Sequence, residues 1–108
     1  MNKLELFIPL RSQITQIFGV NGEWYKQHGI NIKGHNGIDY GCPTGTPIYA
    51  THDGIVVFCG EDSSAGLGLV LRTTEPSDYN GKPTYFKTIY WHLKSFAVKA
   101  NDQVNAGD

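Results

Sequence analysis

Four histidines, His28, His35, His52 and His92, are the side chains of this sequence best suited to acid–base or metal chemistry near neutral pH. His35 has the most informative setting, Gly34-His35-Asn36-Gly37-Ile38-Asp39-Tyr40, four residues ahead of a carboxylate. A neutral imidazole and a carboxylate are both good ligands for Zn²⁺. In a straight strand their Cα atoms would lie roughly 13 Å apart, at about 3.3 Å per residue. Two ligands each about 2 Å from one ion cannot span that distance. The pair can therefore serve a metal only if the chain curls between them, and Gly34 and Gly37 are free to take the backbone angles of a curl. The plainer reading of the same spacing is a histidine in a glycine-rich turn, hydrogen-bonded to a neighbouring carboxylate. Spacing alone does not choose between the two.

The other candidates are weaker. His52, in Ala50-Thr51-His52-Asp53-Gly54, reads as a solvent-exposed turn residue ahead of a strand. His28, in Tyr25-Lys26-Gln27-His28-Gly29, reads as a surface loop residue, with the lining of a cleft or an open metal position as the alternative. Cys42 and Cys59 form neither a CxxC pair nor a cluster with histidine. They read as unpaired, partly buried thiols; a disulfide between them would depend on geometry.

The elements that must hold these residues are short. Stretches rich in β-branched and aromatic residues predict strands over Ile48–Ala50, Gly54–Cys59, Gly68–Thr73 and Tyr85–His92. Alternation along the last would place His92 on one face with Tyr90, Thr88 and Phe86. Turn-rich joints fall at Gly41–Pro47, Gly60–Gly68 and Glu75–Pro83. The last contains Asn80-Gly81, the signature of a hairpin tip. The best helical segment is Ser12–Phe18, and it is short. The pattern predicts an all-β, antiparallel sheet or open sandwich, forming a single domain over residues 1–108.

Composition narrows the function classes. A formal net charge of −1 gives no general electrostatic reason for a nucleic-acid or anionic-membrane partner. No apolar run approaches the roughly 20 residues of a membrane span. The segment from Met1 to Leu10 is a poor signal peptide: its apolar stretch is short, Glu5 interrupts it, and no small-residue cleavage site follows.

In order along the chain stand Gly34-His35-Asn36-Gly37-Ile38-Asp39-Tyr40, Pro43-Thr44-Gly45-Thr46-Pro47-Ile48-Tyr49-Ala50, Asp53-Gly54-Ile55-Val56-Val57, Ile89-Tyr90-Trp91-His92-Leu93 and Val104-Asn105-Ala106-Gly107-Asp108. This succession resembles the lysostaphin/LytM-type zinc endopeptidases, which cut peptide bonds of bacterial peptidoglycan. The resemblance implies the lysostaphin-like fold, Zn²⁺ as cofactor, and cell-wall peptides as substrate. It makes His35 and Asp39 zinc ligands and His92 a catalytic histidine beside the metal. It also makes Trp24, Tyr25 and Tyr40 candidates for the wall of a substrate cleft, against the alternative of plain packing.

The family pattern closes with a His-x-His element that brings the third ligand and a second catalytic histidine, and no histidine follows His92 here. The expectation is thus a peptidase domain lacking its last strands, binding metal weakly. A catalytic zinc normally takes three protein ligands. A lost general base or transition-state donor costs about 10² to 10⁴ in rate. The competing expectation is a non-catalytic relative that binds the wall or activates an enzyme. A third, a lipoyl-carrier-like module, finds only Lys82 as a hairpin lysine. The entry Ile14-Thr15-Gln16-Ile17-Phe18-Gly19 is similar to phage-derived members, which would act at the wall from the virion or after lysis.

Overall fold

The computed structural model describes residues 2–30, 33–64 and 66–108. Antiparallel pairing accounts for almost all of their regular structure. The elements are β1 (Gln13–Gln16), α1 (Gly22–Gln27), β2 (Asp39–Gly41), β3 (Gly54–Asp62), β4 (Gly66–Thr73), β5 (Ser77–Tyr79), β6 (Lys82–Thr84), β7 (Lys87–Leu93) and β8 (Gln103–Val104). They fall into two units. One comprises residues 1–10 and 47–108, and the other Arg11–Thr46. The all-β expectation holds, and α1 is the one helix among the described residues.

The larger unit is built on a four-stranded sheet in the order β7-β4-β3-β8. Its core is thin: Val56 and Leu71 are each 1% exposed and paired directly across β3 and β4, with Val104 beside them. Ala50, Cys59, Leu69, Tyr90 and Val98 pack around this trio. The alternation of β3 breaks at one place. Val56 faces Leu71 and Phe58 faces Val70, so Val57 is an extra residue. This β-bulge turns Cys59 onto the same face as Val56 despite their odd spacing, and it leaves Val57 and Phe58 exposed. A strand read by alternation alone would have buried the wrong member of that run.

The sequence places several elements well. β3, β4 and β7 lie where strands are expected. Asn80 and Gly81 form the tip of the β5–β6 hairpin, both with left-handed backbones (φ 52° and 81°), as a two-residue turn of this hand requires. The joint expected at 60–68 shrinks to the connection between Asp62 and Gly66, in which Ala65 lies outside the described residues.

Other expectations fail for physical reasons. Ile48–Ala50 forms no strand; Tyr49 N–H donates to the Pro9 carbonyl (2.8 Å), and Ala50 exchanges bonds with residues 107 and 108. Ser12–Phe18 is not helical. Its β-branched Ile14 and Thr15 favour the extended β1, which pairs with β2. The helix falls instead at Gly22–Gln27, so Trp24 and Tyr25 sit on α1.

Gly54 shows how little room the central ladder leaves. A Cβ there would lie 2.3 Å from the Arg72 carbonyl oxygen of the neighbouring strand. Gly54→Ala should therefore destabilise the protein by about 1–3 kcal/mol, as overpacking does. Gly37→Ala, where no atom lies within 4 Å and φ is not left-handed, should be close to neutral. Thermal melting of the two variants checks the contrast; a Gly54→Ala protein as stable as Gly37→Ala would contradict the packing described.

Candidate active site

The chain does curl between His35 and Asp39. Their Nε2 and Oδ1 atoms stand 3.2 Å apart, within the Arg11–Thr46 unit. The curl does not come from left-handed glycines, since neither Gly34 nor Gly37 has positive φ. It comes from a close backbone approach. A Cβ on Gly34 would lie 2.4 Å from the Gly19 carbonyl oxygen, so only glycine fits there. Across that contact Gly19 N–H donates to the His35 carbonyl (2.7 Å), and His35 N–H donates to the Val20 carbonyl (2.8 Å). The backbone of His35 is thus held from both sides.

The ring is oriented as well. His35 Nδ1 faces the Ile17 carbonyl at 3.3 Å. With the proton on Nδ1, the ring donates to that carbonyl, which only accepts, and the Nε2 lone pair is aimed at Asp39. A neutral ring then sets a lone pair against a carboxylate oxygen. The other neutral tautomer moves the same conflict to Ile17. A metal ion bound between Nε2 and Oδ1 would resolve it.

The donor set fits a metal. Ligand bonds of about 2.0–2.2 Å at the tetrahedral angle put N and O about 3.3–3.5 Å apart, slightly more than the 3.2 Å of this pair, and a ligating histidine usually donates its other N–H to a carbonyl or carboxylate. His35 is buried, at 9% exposure, whereas the Asp39 side chain is half open to solvent. Asp39 sits at the β1–β2 pairing, opposite a bulge at Thr15, whose hydroxyl donates to the Asp39 carbonyl (3.4 Å). Among the described residues no third His, Cys, Asp or Glu joins the pair.

His92 lies in the other unit, on β7. The alternation expected to align it with Tyr90, Thr88 and Phe86 is interrupted. Tyr90 pairs with Leu69 and Leu93 with Leu67, so Trp91 and His92 together oppose Gly68. This is a bulge, and His92 has a left-handed backbone, φ 62°. Such a conformation in a non-glycine residue costs energy and clusters at functional positions. Trp91 lies over Gly68, where any Cβ would collide with its indole. His92 itself is exposed.

The remaining candidates are placed as follows. Trp24 stacks on His28, with ring centroids 4.1 Å apart, and meets Tyr25 edge-on at 5.2 Å. His28 is exposed, and its Nδ1 donates to the Trp24 carbonyl (2.7 Å). The Tyr25 hydroxyl accepts from Gln16 Nε2 (2.9 Å), and Tyr40 is half-buried on β2, paired with Ile14. Both cysteines are free. Burial, with the Asp102 carboxylate second, pushes the Cys59 thiol up, which makes it a poor ligand or nucleophile.

His52 overturns its expectation. It is not an exposed turn residue but 4% exposed, with both ring nitrogens bonded. Its partner Thr88 lies 36 residues away, and no local pattern announces that contact.

Residues 33–108 match the model of peptidase family M23, and the chain belongs to that family. Among its relatives is the DD-carboxypeptidase/endopeptidase Mpg of Neisseria meningitidis, 34% identical over 90% of this chain and 20% of the relative. The peptidoglycan DD-endopeptidase ShyA of Vibrio cholerae is 37% identical over 68% of the chain and 15% of its own length. The glycyl-glycine endopeptidase ALE-1 of Staphylococcus capitis is 35% identical over 73% of the chain and 20% of its own length. The chain thus spans about a fifth or less of these relatives. No solved structure gives a significant match. No helix among the described residues is long and apolar enough to cross a membrane.

Proposed function

We propose that this chain is part of a zinc metallopeptidase domain that hydrolyses peptide bonds of bacterial peptidoglycan at the cell wall. The observation that carries the reading is the 3.2 Å approach of His35 Nε2 to Asp39 Oδ1, with the ring already oriented by Ile17. The family match supports it and covers residues of both units, as a single domain over residues 1–108 requires. The names of the relatives support peptidoglycan as substrate.

His35 and Asp39 would hold the ion. When bound, zinc lowers the pKa of a water molecule and polarises the scissile carbonyl. His35 supplies a neutral nitrogen whose other proton is committed to a backbone carbonyl. Asp39 offsets part of the ion's charge from a position open to solvent. His92 serves as the proton-handling or charge-stabilising histidine of the reaction, carried on a backbone strained at that residue. The exposed face of Trp24, with Tyr25 and Tyr40, forms part of the wall that receives the peptide.

Two outcomes follow. In calorimetric titrations of the protein with Zn²⁺, His35→Ala and Asp39→Ala should each weaken binding by at least about tenfold, the minimum for loss even of a group that supports a ligand. Equal affinities in wild type and both variants would remove the metal assignment.

The second outcome concerns turnover by the natural protein at full length. Against purified peptidoglycan, His92→Ala should lower kcat by about 10² to 10⁴, and a strong chelator should abolish activity that added Zn²⁺ restores. Wall binding without hydrolysis, unaffected by His35→Ala, would favour the non-catalytic alternative instead.

A further inference from the structure

Behind β7 runs a chain of polar groups that neither the metal pair nor His92 uses. His52 Nε2 lies 2.8 Å from Thr88 Oγ1, Thr88 Oγ1 lies 2.8 Å from the Tyr90 hydroxyl, and that hydroxyl lies 2.6 Å from Thr51 Oγ1. Thr51 N–H also points at the Tyr90 hydroxyl, at 3.3 Å. The chain closes on the other side of the imidazole, where His52 Nδ1 lies 2.9 Å from the Asp53 carbonyl. Thr51 and His52 are 7% and 4% exposed, so little water is available to replace a lost partner.

One backbone carbonyl sets every proton in this chain. The Asp53 oxygen can only accept, so His52 Nδ1 carries the hydrogen and Nε2 of the neutral ring accepts. Thr88 must then donate to His52, which obliges it to accept from Tyr90. Tyr90 in turn accepts from both the hydroxyl and the N–H of Thr51. Each of these groups has a partner, and the Thr88 and Tyr90 hydroxyls each have one allowed direction. A satisfied, partly buried network of this kind, with Thr51 and His52 at its buried end, restrains the side chains that compose it.

Its place along β7 gives it a role. Tyr90 is the last residue of the regular β4–β7 pairing before Trp91 and His92 bulge out opposite Gly68. Within a bulge the ladder no longer holds the backbone. A left-handed histidine persists there only if the surrounding structure over-determines it. The anchors are Leu93 on one side and Tyr90 on the other, and Tyr90 is tied by its hydroxyl to the turn that opens β3. We propose that Thr51, His52, Thr88 and Tyr90 form a positioning network that sets the backbone of His92 for the hydrolytic reaction. They touch no substrate and act through β7. The role rests on the functional reading given above; the proton order does not.

The test uses the full-length protein with Tyr90→Phe, Thr88→Val and Thr88→Ser. The first two keep volume and delete a hydroxyl; the third keeps the hydroxyl and deletes a methyl group. Tyr90→Phe and Thr88→Val should lower kcat about tenfold at unchanged KM, a size typical of small misplacements of a reacting group. Thr88→Ser should restore most of the loss, and all three should bind Zn²⁺ as wild type does. In ¹⁵N-labelled protein the His52 ring should carry its proton on Nδ1. Wild-type kcat in folded Tyr90→Phe, or a Thr88→Ser variant as impaired as Thr88→Val, overturns the positioning role. A His52 ring protonated at Nε2 overturns the proton order, whatever the activity. A wild-type protein that does not cleave peptidoglycan overturns the functional reading and the positioning role with it, while the ring measurement still stands on its own.

Discussion

Three strand ladders of this protein each carry one extra residue, and the placement of its chemistry depends on where that residue falls. Thr15 interrupts β1 opposite Asp39, Val57 interrupts β3 beside the core, and β7 bulges at Trp91 and His92. A bulge adds a residue without adding a pair, so every side chain beyond it changes face relative to strict alternation. In β3 the change brings Cys59 to the core beside Val56. In β7 it releases His92 from the ladder just where Trp91 settles over Gly68. The core itself is small, resting on the Val56–Leu71 pair. Geometry at the functional positions is therefore held mostly by hydrogen bonds and close backbone contacts, not by a deep apolar interior.

The His35–Asp39 pair follows the same logic in miniature. Gly34 is needed because its backbone lies against Gly19, and that approach allows the two hydrogen bonds, from Gly19 and to Val20, that clamp His35. The Ile17 carbonyl then faces one ring nitrogen, and the Asp39 carboxylate faces the other. No element of this arrangement is strong alone. Together they hold Nε2 and Oδ1 3.2 Å apart, with the ring fixed in place.

Much of this was legible in the residues. The His35–Asp39 pair was readable because its spacing demanded a curl, and the flanking glycines made one feasible. The strands β3, β4 and β7 were readable from β-branched and aromatic runs, and the β5–β6 turn from Asn80-Gly81. What escaped was whatever depends on partners distant in sequence. Ile17 orients a ring 18 residues further on. His52 is buried because Thr88, 36 residues away, meets it. Bulges leave no compositional mark, so the facing of Cys59 and of His92 could not be read from alternation. The Ser12–Phe18 segment is extended, not helical, because its β-branched residues find a strand partner at Asp39–Gly41, while a six-residue helix forms from a stretch with no apolar periodicity.

The clamped histidine has a consequence for the proposed capture of an ion. A flexible imidazole must give up rotamer freedom when it ligates, and that loss subtracts from affinity. In this chain folding has already removed that freedom: the backbone of His35 is bonded on both sides, its ring is buried, and one ring nitrogen is committed. Most of the disorder left to lose at the pair belongs to the half-exposed Asp39. On the proposed reading, binding an ion would order chiefly the Asp39 side chain, because folding already holds His35.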